Sequence, residues 1–413
     1  MIALDALPSE IKDRLASLDT ADLVIAMPGV TTEDGLRDAA RRVRRAIDGL
    51  ASGPKTVLVH PDGAIADNPS ITEAEGPALL PFPISPLDRF PAPGQNVADA
   101  YRAVFAVSSR LGARGCAIVG SDPSAIAPEA LGHLIRPVLR ERFDLVTPHY
   151  QRRRFDALLL SAVITPVTRA LYGKRISFPV GADFAFSARL VERYLQPAGA
   201  DRNGIAVWLT SDAICGGFEV GQAQLGVPIP AQKEPPDVSA AMVQVMAPLF
   251  LDIERNAAFW QKVRGSQAVP TFGTAPPAAE EPGAVDVGRM VESFRLGYRN
   301  LQEIWSAVLP PATLIELKRL TQLAPDNFRF PDALWVRFVY DFALAYRLRV
   351  MSRDHLVGAM TPVYLAWVAS YALEVGRATP FAVEQRLERL GAACEAQKPY
   401  LVSRWRWPDR FNP

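Results

Sequence analysis

Acids set in apolar surroundings are the first candidates for chemistry in this chain. Asp183 stands in ISFPVGADFAFS (176–187), flanked by Gly181, Ala182, Phe184 and Phe186. A carboxylate in such a run is paired, exposed at a pocket, or expensive to bury. By residue type it also suits a turn or a helix N-cap. Asp122 follows the apolar run CAIVG (116–120) after Ser121, and by residue type it is an N-cap or closes an Asx-turn. Asp212 in LTSDA is a further acid, either catalytic or on a helix surface. Cations cluster at Arg152, Arg153 and Arg154, and again at Lys174 and Arg175. Such groups either hold phosphate, which Arg does bidentately, or solvate an edge. His149 and Tyr150 close DLVTPHY, and His60 closes TVLVH; each histidine is a pocket candidate or a structural one.

Those residues need a scaffold, and the sequence outlines one. A short amphipathic helix (Ile11, Leu15, Leu18) precedes a buried strand at 23–27 that ends at Pro28. Residues 33–51 carry Leu36, Ala39, Ala40, Val43, Ile47 and Leu50 at helical spacing, and 56–60 is a second strand. Strand, helix, strand predicts a parallel sheet with ligand sites at the strand C-ends. Residues 65–95, rich in Pro, Ser and Gly, read as loops. A helix at 96–111 (Val97, Ala100, Val104, Val107), strands at 116–120 and 144–150, and a helix at 129–142 follow. A helix leading to Tyr172 breaks at Gly173; 204–218 is a further helix and 219–226 a strand. From about 233 the texture is helical. Residues 265–285, rich in Pro, Ala and Gly, read as a flexible linker. The faces Phe294, Tyr298, Leu301, Trp305 and Leu334, Trp335, Phe338, Phe342, Tyr346 read as core.

Composition narrows the function classes. In 413 residues, 45 Lys plus Arg balance 44 Asp plus Glu, so there is no overall basic excess and nucleic-acid binding has little support. Cys116, Cys215 and Cys394 are odd in number and far apart, which fits buried thiols in a reducing compartment better than disulfides. The N-terminal residues lack a basic stretch followed by an apolar one, and the uncharged run 157–168 has 12 residues, too short to span a bilayer. The expected localisation is cytoplasmic, with a peripheral membrane contact left open.

YGKRISFPVGADFAFS (172–187) resembles the YGkRirqPiGGDFgfS segment of a bacterial and archaeal family of nucleotide-sugar glycosyltransferases of the GT-A fold, similar to the mannosylglycerate and glucosylglycerate synthases. NFRFPDALWVRFVYDFALAYR (327–347), MTPVYLAWVASYALE (360–374) and KPYLVSRW (398–405) extend the resemblance to the C-terminal region. It implies an α/β, GT-A-like domain with a Rossmann-like mixed sheet over 20–232. An N-terminal helix (1–19) precedes it and a mostly α-helical region (233–413) follows. The implied activity moves a hexose from a nucleoside-diphosphate sugar to a small hydroxylated acceptor with retention of configuration.

Site roles follow from the same resemblance. Asp62 in HPDGA stands where an acid reads the base, although an Asp-Gly turn reads equally well there. Pro28 begins PGVTT where the family has PTyNE, and Gly94 and Gln95 in PGQN stand for its GKG stretch near the phosphates. Ser121 and Asp122, with Arg154, Lys174 and Arg175, would hold the diphosphate. Asp183 and Asp212 would be catalytic, and His149, Tyr150, Gly181 and Ala182 would border the acceptor. The family's Asp-x-Asp, which holds Mg2+ or Mn2+, reads Gly120-Ser121-Asp122 here. Ala206 in GIAVW replaces a second acid, and Pro230 in LGVPIPAQKEP replaces a histidine. Asp122 is thus the one candidate metal ligand, and the metal site is expected to be lost or rebuilt. The alternative is a non-catalytic GT-A-like protein binding a nucleotide, a glycan or a protein. Tyr364, Lys398 and Trp405 are either acceptor or oligomer contacts or packing residues. An open apolar patch on the C-terminal helices would make a homodimer.

Overall fold

The apolar runs at 23–27, 56–60 and 116–119 are buried at every residue, without the alternation of a half-exposed sheet, so both faces of the sheet are covered there. The structure, a computed structural model, describes residues 9–48, 50, 53–61, 77–82, 95–140, 142–196, 204–229, 238–274 and 285–408. It has strands β1 (Leu23–Ala26), β2 (Thr56–Pro61), β3 (Ala78–Phe82), β4 (Gly115–Val119), β5 (Leu145–Gln151), β7 (Asp183–Ser187), β8 (Val220–Pro228) and β10 (Thr271–Phe272) in one sheet of order β10-β8-β5-β7-β4-β1-β2-β3. A separate pair joins β6 (Lys174–Arg175) to β9 (Gln267–Ala268). In the large sheet only β7 runs antiparallel to its neighbours, β4 and β5. Helices α1 (Ser9–Ser17), α2 (Glu33–Ile47), α3 (Gln95–Arg110) and α4 (Pro128–Leu139) belong to the same part of the chain. This is the mixed α/β sheet with flanking helices that the sequence predicts, followed by a helical C-terminal region.

Local chemistry explains each element. The α2 helix starts where Thr32 accepts from Gly35 N at 3.2 Å. It carries Glu33 and Asp34 in its first turn and Arg44 and Arg45 in its last, matching the helix dipole. Its Leu36, Ala39, Ala40, Val43 and Ala46 are buried. Strand β3 lies inside the stretch read as loops. Its Pro81 lacks an N–H, and that is tolerated because β3 is an edge strand. Strand β7 was likewise hidden, because its burial is set by neighbours: Phe186 meets the rings of Tyr101, Phe105 and Tyr194.

Two expectations about organisation need correction. The chain does not divide at a single boundary near 232. One unit takes Met1–Gln151, Ser177–Lys233 and Val269–Pro276; the other takes Arg152–Ile176, Glu234–Ala268 and Pro277–Pro413. The first ten residues of the expected linker 265–285 are also structured. Within them β9 pairs with β6, and β10 joins the sheet, because Gly221 lacks a Cβ and leaves room for the Phe272 ring. Residues 275–284 of that linker lie outside the described residues.

The helical unit is held by its aromatic core and by buried cations. Trp335 stacks on Trp367 and Phe338, and Trp367 on Tyr371, so these stripes are core. Phe294, Trp305, Leu334, Phe342 and Tyr346 are buried as well, with Tyr298 and Leu301 half-buried. Pro166 has no N–H for the Ala162 carbonyl four residues back, and that carbonyl accepts from Trp335 Nε1 at 2.8 Å. Arg386, 3% exposed, meets both oxygens of Asp332 and one of Glu374. The stretch Arg353–Val375 is long and apolar enough to cross a membrane, yet 72% of its most apolar window is buried inside the protein. Cys116 and Cys394 are buried and Cys215 half-buried; all three are free thiols.

Asp144 tests how the sheet is closed. It accepts from Ser187 Oγ at 2.7 Å, Arg189 Nη2 at 2.6 Å and Glu219 N at 3.0 Å. Burial would raise its pKa, but these partners outweigh it and hold the carboxyl below its usual 3.8. Its contribution to stability is therefore present above pH 3.8 and lost as pH falls through the lower folded value. Asp144→Ala is expected to lower unfolding free energy by about 2 kcal/mol at neutral pH, read from urea melts. That deficit should shrink in acid.

Candidate functional site

Strand order 3-2-1-4 reverses direction of winding between β1 and β4, and a doubly wound sheet binds ligands at such a switch, beyond the strand C-ends. Pro28 and Gly29 follow β1 there, and Gly120, Ser121 and Asp122 follow β4. The Cβ position of Gly29 lies 4.0 Å from the Gly120 carbonyl oxygen, so the two turns abut with little side chain between them. Because β7 is antiparallel, its first residue arrives at this same edge, with Asp183 opposite Val119.

Asp183 is completely buried. Ser121 N donates to its Oδ1 at 3.1 Å, and Ser121 Oγ donates to Oδ2. Tyr150 Oη, from β5, donates to Oδ2 at 2.5 Å and accepts from Ala182 N at 2.9 Å. Gly120 N donates to the Ala182 carbonyl at 3.0 Å. One closed network thus ties the ends of β4, β5 and β7. Gly181 is needed for it, since a Cβ there would lie 2.3 Å from Pro148 Cγ. Burial raises the Asp183 carboxyl, with the Ser121 and Tyr150 hydrogen bonds opposing. Burial and then the Asp183 charge push Tyr150 and Tyr101 up, so both phenols stay protonated and Tyr150 stays a donor.

Asp183 is neither a turn acid nor a helix cap, the two bland alternatives open to it in the sequence. It opens a strand, and its oxygens face Ser121 and Tyr150. Its carboxylate holds the Ser121–Asp122 loop at the end of β4. Tyr150 and Ala182 are absorbed in the same network. Asp122 is exposed at the strand end and accepts from Ser124 N at 2.8 Å, so it does form the Asx-turn.

Other candidates are engaged elsewhere. Asp212, read in the sequence as either catalytic or on a helix surface, pairs with Arg193 at 2.7 and 3.3 Å between helices Ile205–Cys215 and Ala188–Leu195. His149 Nδ1 meets Gln224 Nε2 at 3.2 Å across the β5–β8 pair, and His60 is buried with Nδ1 3.0 Å from the Pro61 carbonyl. Arg154 donates to the carbonyls of Gly376 and Ala378 at 2.9 and 3.1 Å, and Arg152 pairs with Glu384. These two arginines of the expected diphosphate clamp thus make contacts within the helical unit. Lys174 and Arg175 also belong to that unit, on β6. Tyr364 and Trp405 are buried, so packing is the reading that holds for them, and Lys398 Nζ donates to two backbone carbonyls. Asp62, Gly94 and Pro230 lie outside the described residues; Gln95 opens α3, its side chain undescribed.

The residues do not fit a divalent cation held as the resemblance implies. Gly120 has no side chain, Ala206 is a buried methyl, and Asp122 alone remains. Among the described residues no three His, Cys, Asp or Glu side chains group to hold a metal ion. Sequence reasoning missed Tyr101. Its helical phase beside Val97 and Val104 marks it as inward-facing, but nothing local tells that Asp183 is near.

No family model matches the sequence, and no curated protein matches it. Among solved structures, one similar to the chain is glucosyl-3-phosphoglycerate synthase from Mycobacterium tuberculosis in complex with phosphoglyceric acid. It is 17% identical with a TM-score of 0.32, and the match covers 60% of this chain and 85% of that one.

Removing the phenol tests the network. Tyr150→Phe strips one donor from Asp183 and orphans Ala182 N, and is expected to cost about 1–3 kcal/mol in urea unfolding. The pH dependence has the opposite sign to that of Asp144. A carboxyl whose folded pKa is raised contributes stability fully below its unfolded 3.8, and that contribution is lost as pH rises through the folded value. Asp183→Asn lacks this slope, so its deficit against the parent chain should narrow as pH is raised.

Proposed function

We propose that the unit built on the mixed sheet binds a nucleoside-diphosphate sugar beyond β1 and β4 and transfers its hexose to a small hydroxylated acceptor. The observation that carries this reading is the position of Asp183. The residue at the centre of the glycosyltransferase-like segment opens β7 at the sheet's switch point and pins Ser121, the residue before the exposed Asp122. In transfer, the bond from the anomeric carbon to the diphosphate breaks and the acceptor hydroxyl forms the new glycosidic bond, losing its proton. Retention of configuration is part of the proposal, following the synthases the sequence resembles.

The roles divide by exposure. Gly29 and Gly120 leave the main chain bare, which lets a ligand approach closely. Asp122, exposed at the end of β4, is the carboxylate able to accept hydrogen bonds from sugar or acceptor hydroxyls. Asp183, Tyr150 and Ser121 hold the loop that presents it. A second reading, binding without turnover, is favoured because no three His, Cys, Asp or Glu side chains group to hold a metal ion among the described residues, where the resemblance implies such a set.

Calorimetric titration with UDP-glucose and GDP-mannose, with and without Mn2+, tests the reading. Binding of at least one donor that Mn2+ does not strengthen is expected from a single carboxylate. Asp122→Ala should leave the unfolding midpoint nearly unchanged and lower transfer roughly 100-fold. Donor binding with no product from any hydroxylated acceptor would favour the non-catalytic alternative. Failure of every sugar nucleotide to bind would overturn the proposal.

A further inference from the structure

A cleft of about 400 Å³ opens against the helix Pro380–Arg406, lined wholly by residues of the helical unit. Its chemistry is unlike that of a packing defect. Arg264, Lys398 and Arg406 bring three cationic side chains to its wall, against one acid, Glu395. Lys398 is 8% exposed, and its Nζ donates to the carbonyls of Ala170 and Val263, each at 2.8 Å. An ammonium carries three N–H groups, so one donor remains. Burial, and then the neighbouring Arg264 charge, lower Lys398 to about 8, as expected of a cation short of counter-charge. Arg406 uses Nε on Gln261 at 3.1 Å, leaving its forked end for another acceptor.

Glu395 supplies some counter-charge to Lys398, but burial and Arg264 outweigh it. Glu395 Oε2 already accepts from Arg169 at 3.1 Å. Its Oε1 is buried with no hydrogen-bond partner among the described residues. A buried acceptor without a donor costs about 1–3 kcal/mol, and a ligand hydroxyl would remove that cost. Pro399, also in the wall, has no N–H for the Glu395 carbonyl four residues back, which adds a second acceptor without its helical donor. Trp407 stands at the margin, 70% exposed, a large flat apolar surface.

We infer that this cleft binds a phosphorylated sugar of monosaccharide size. The phosphate meets Arg264, Lys398 and Arg406, a hydroxyl donates to Glu395 Oε1, and the ring's C–H face lies against Trp407. A volume of about 400 Å³ suits such a ligand. The inference stands on the helical unit alone and does not rest on the transferase reading.

Calorimetry on the full chain with glucose 6-phosphate, glucose and inorganic phosphate tests it. Glucose 6-phosphate is expected to bind at least ~10-fold tighter than either fragment, since each lacks half of the contacts. Arg264 and Trp407 are both exposed, so their replacement should leave the fold intact. Arg264→Ala should weaken both glucose 6-phosphate and phosphate about 10-fold. Trp407→Ala should weaken glucose 6-phosphate and leave phosphate unchanged. Asp122→Ala, in the other unit, should leave all three titrations as they were. Absence of glucose 6-phosphate binding, indifference to Arg264→Ala, or loss of binding in Asp122→Ala would each overturn the inference.

Discussion

The burial of one carboxylate organises the strand-end region. Asp183 has no solvent, so its oxygens must be satisfied by protein donors, and Ser121 and Tyr150 supply them from the ends of β4 and β5. Because the requirement is mutual, three strands that are far apart in sequence are held in one register at this edge. The antiparallel direction of β7 is what brings Asp183 to the end where the parallel strands finish. Gly181 completes the arrangement by leaving room for Pro148 and for the phenol.

The helical unit applies the same rule to cations. Arg386 is shared between Asp332 and Glu374, and Arg169 between Glu388 and Glu395. Arg404 faces Asp341 at 2.9 Å, and Tyr400 donates to both oxygens of that acid. Buried charges of this kind are costly to leave single, so each pair restricts how the helices can pack. The cleft beside Lys398 is one place among the described residues where this pairing is left incomplete, with Glu395 Oε1 unspent.

Much of the architecture was legible because it depends on local pattern. The apolar runs at 23–27, 56–60 and 116–120 are strands, and the phase of Leu36, Ala39, Ala40 and Val43 marks the buried side of α2. The Pro-rich stretch containing β3 misled, because a proline forbids a central strand but not an edge one, and edge or centre is a property of the sheet. Residues 269–274 misled in the same way: composition argues for exposure, whereas Phe272 finds a glycine, Gly221, to lie upon. Arg154 read as a phosphate ligand because its type suits one; two helix-terminal carbonyls claim it instead.

By itself the sequence determined the α/β character, the aromatic core of the C-terminal helices and the importance of the GADF segment. These follow from residue type and short-range spacing, which act before the chain folds. Only the tertiary structure decided what Asp183 does, since its partners lie 62 and 33 residues away. Only the tertiary structure, too, separated Asp122, left exposed, from Asp212, taken up by Arg193. An acid's chemistry is set by what desolvates it and what donates to it, and both are supplied by distant parts of the chain.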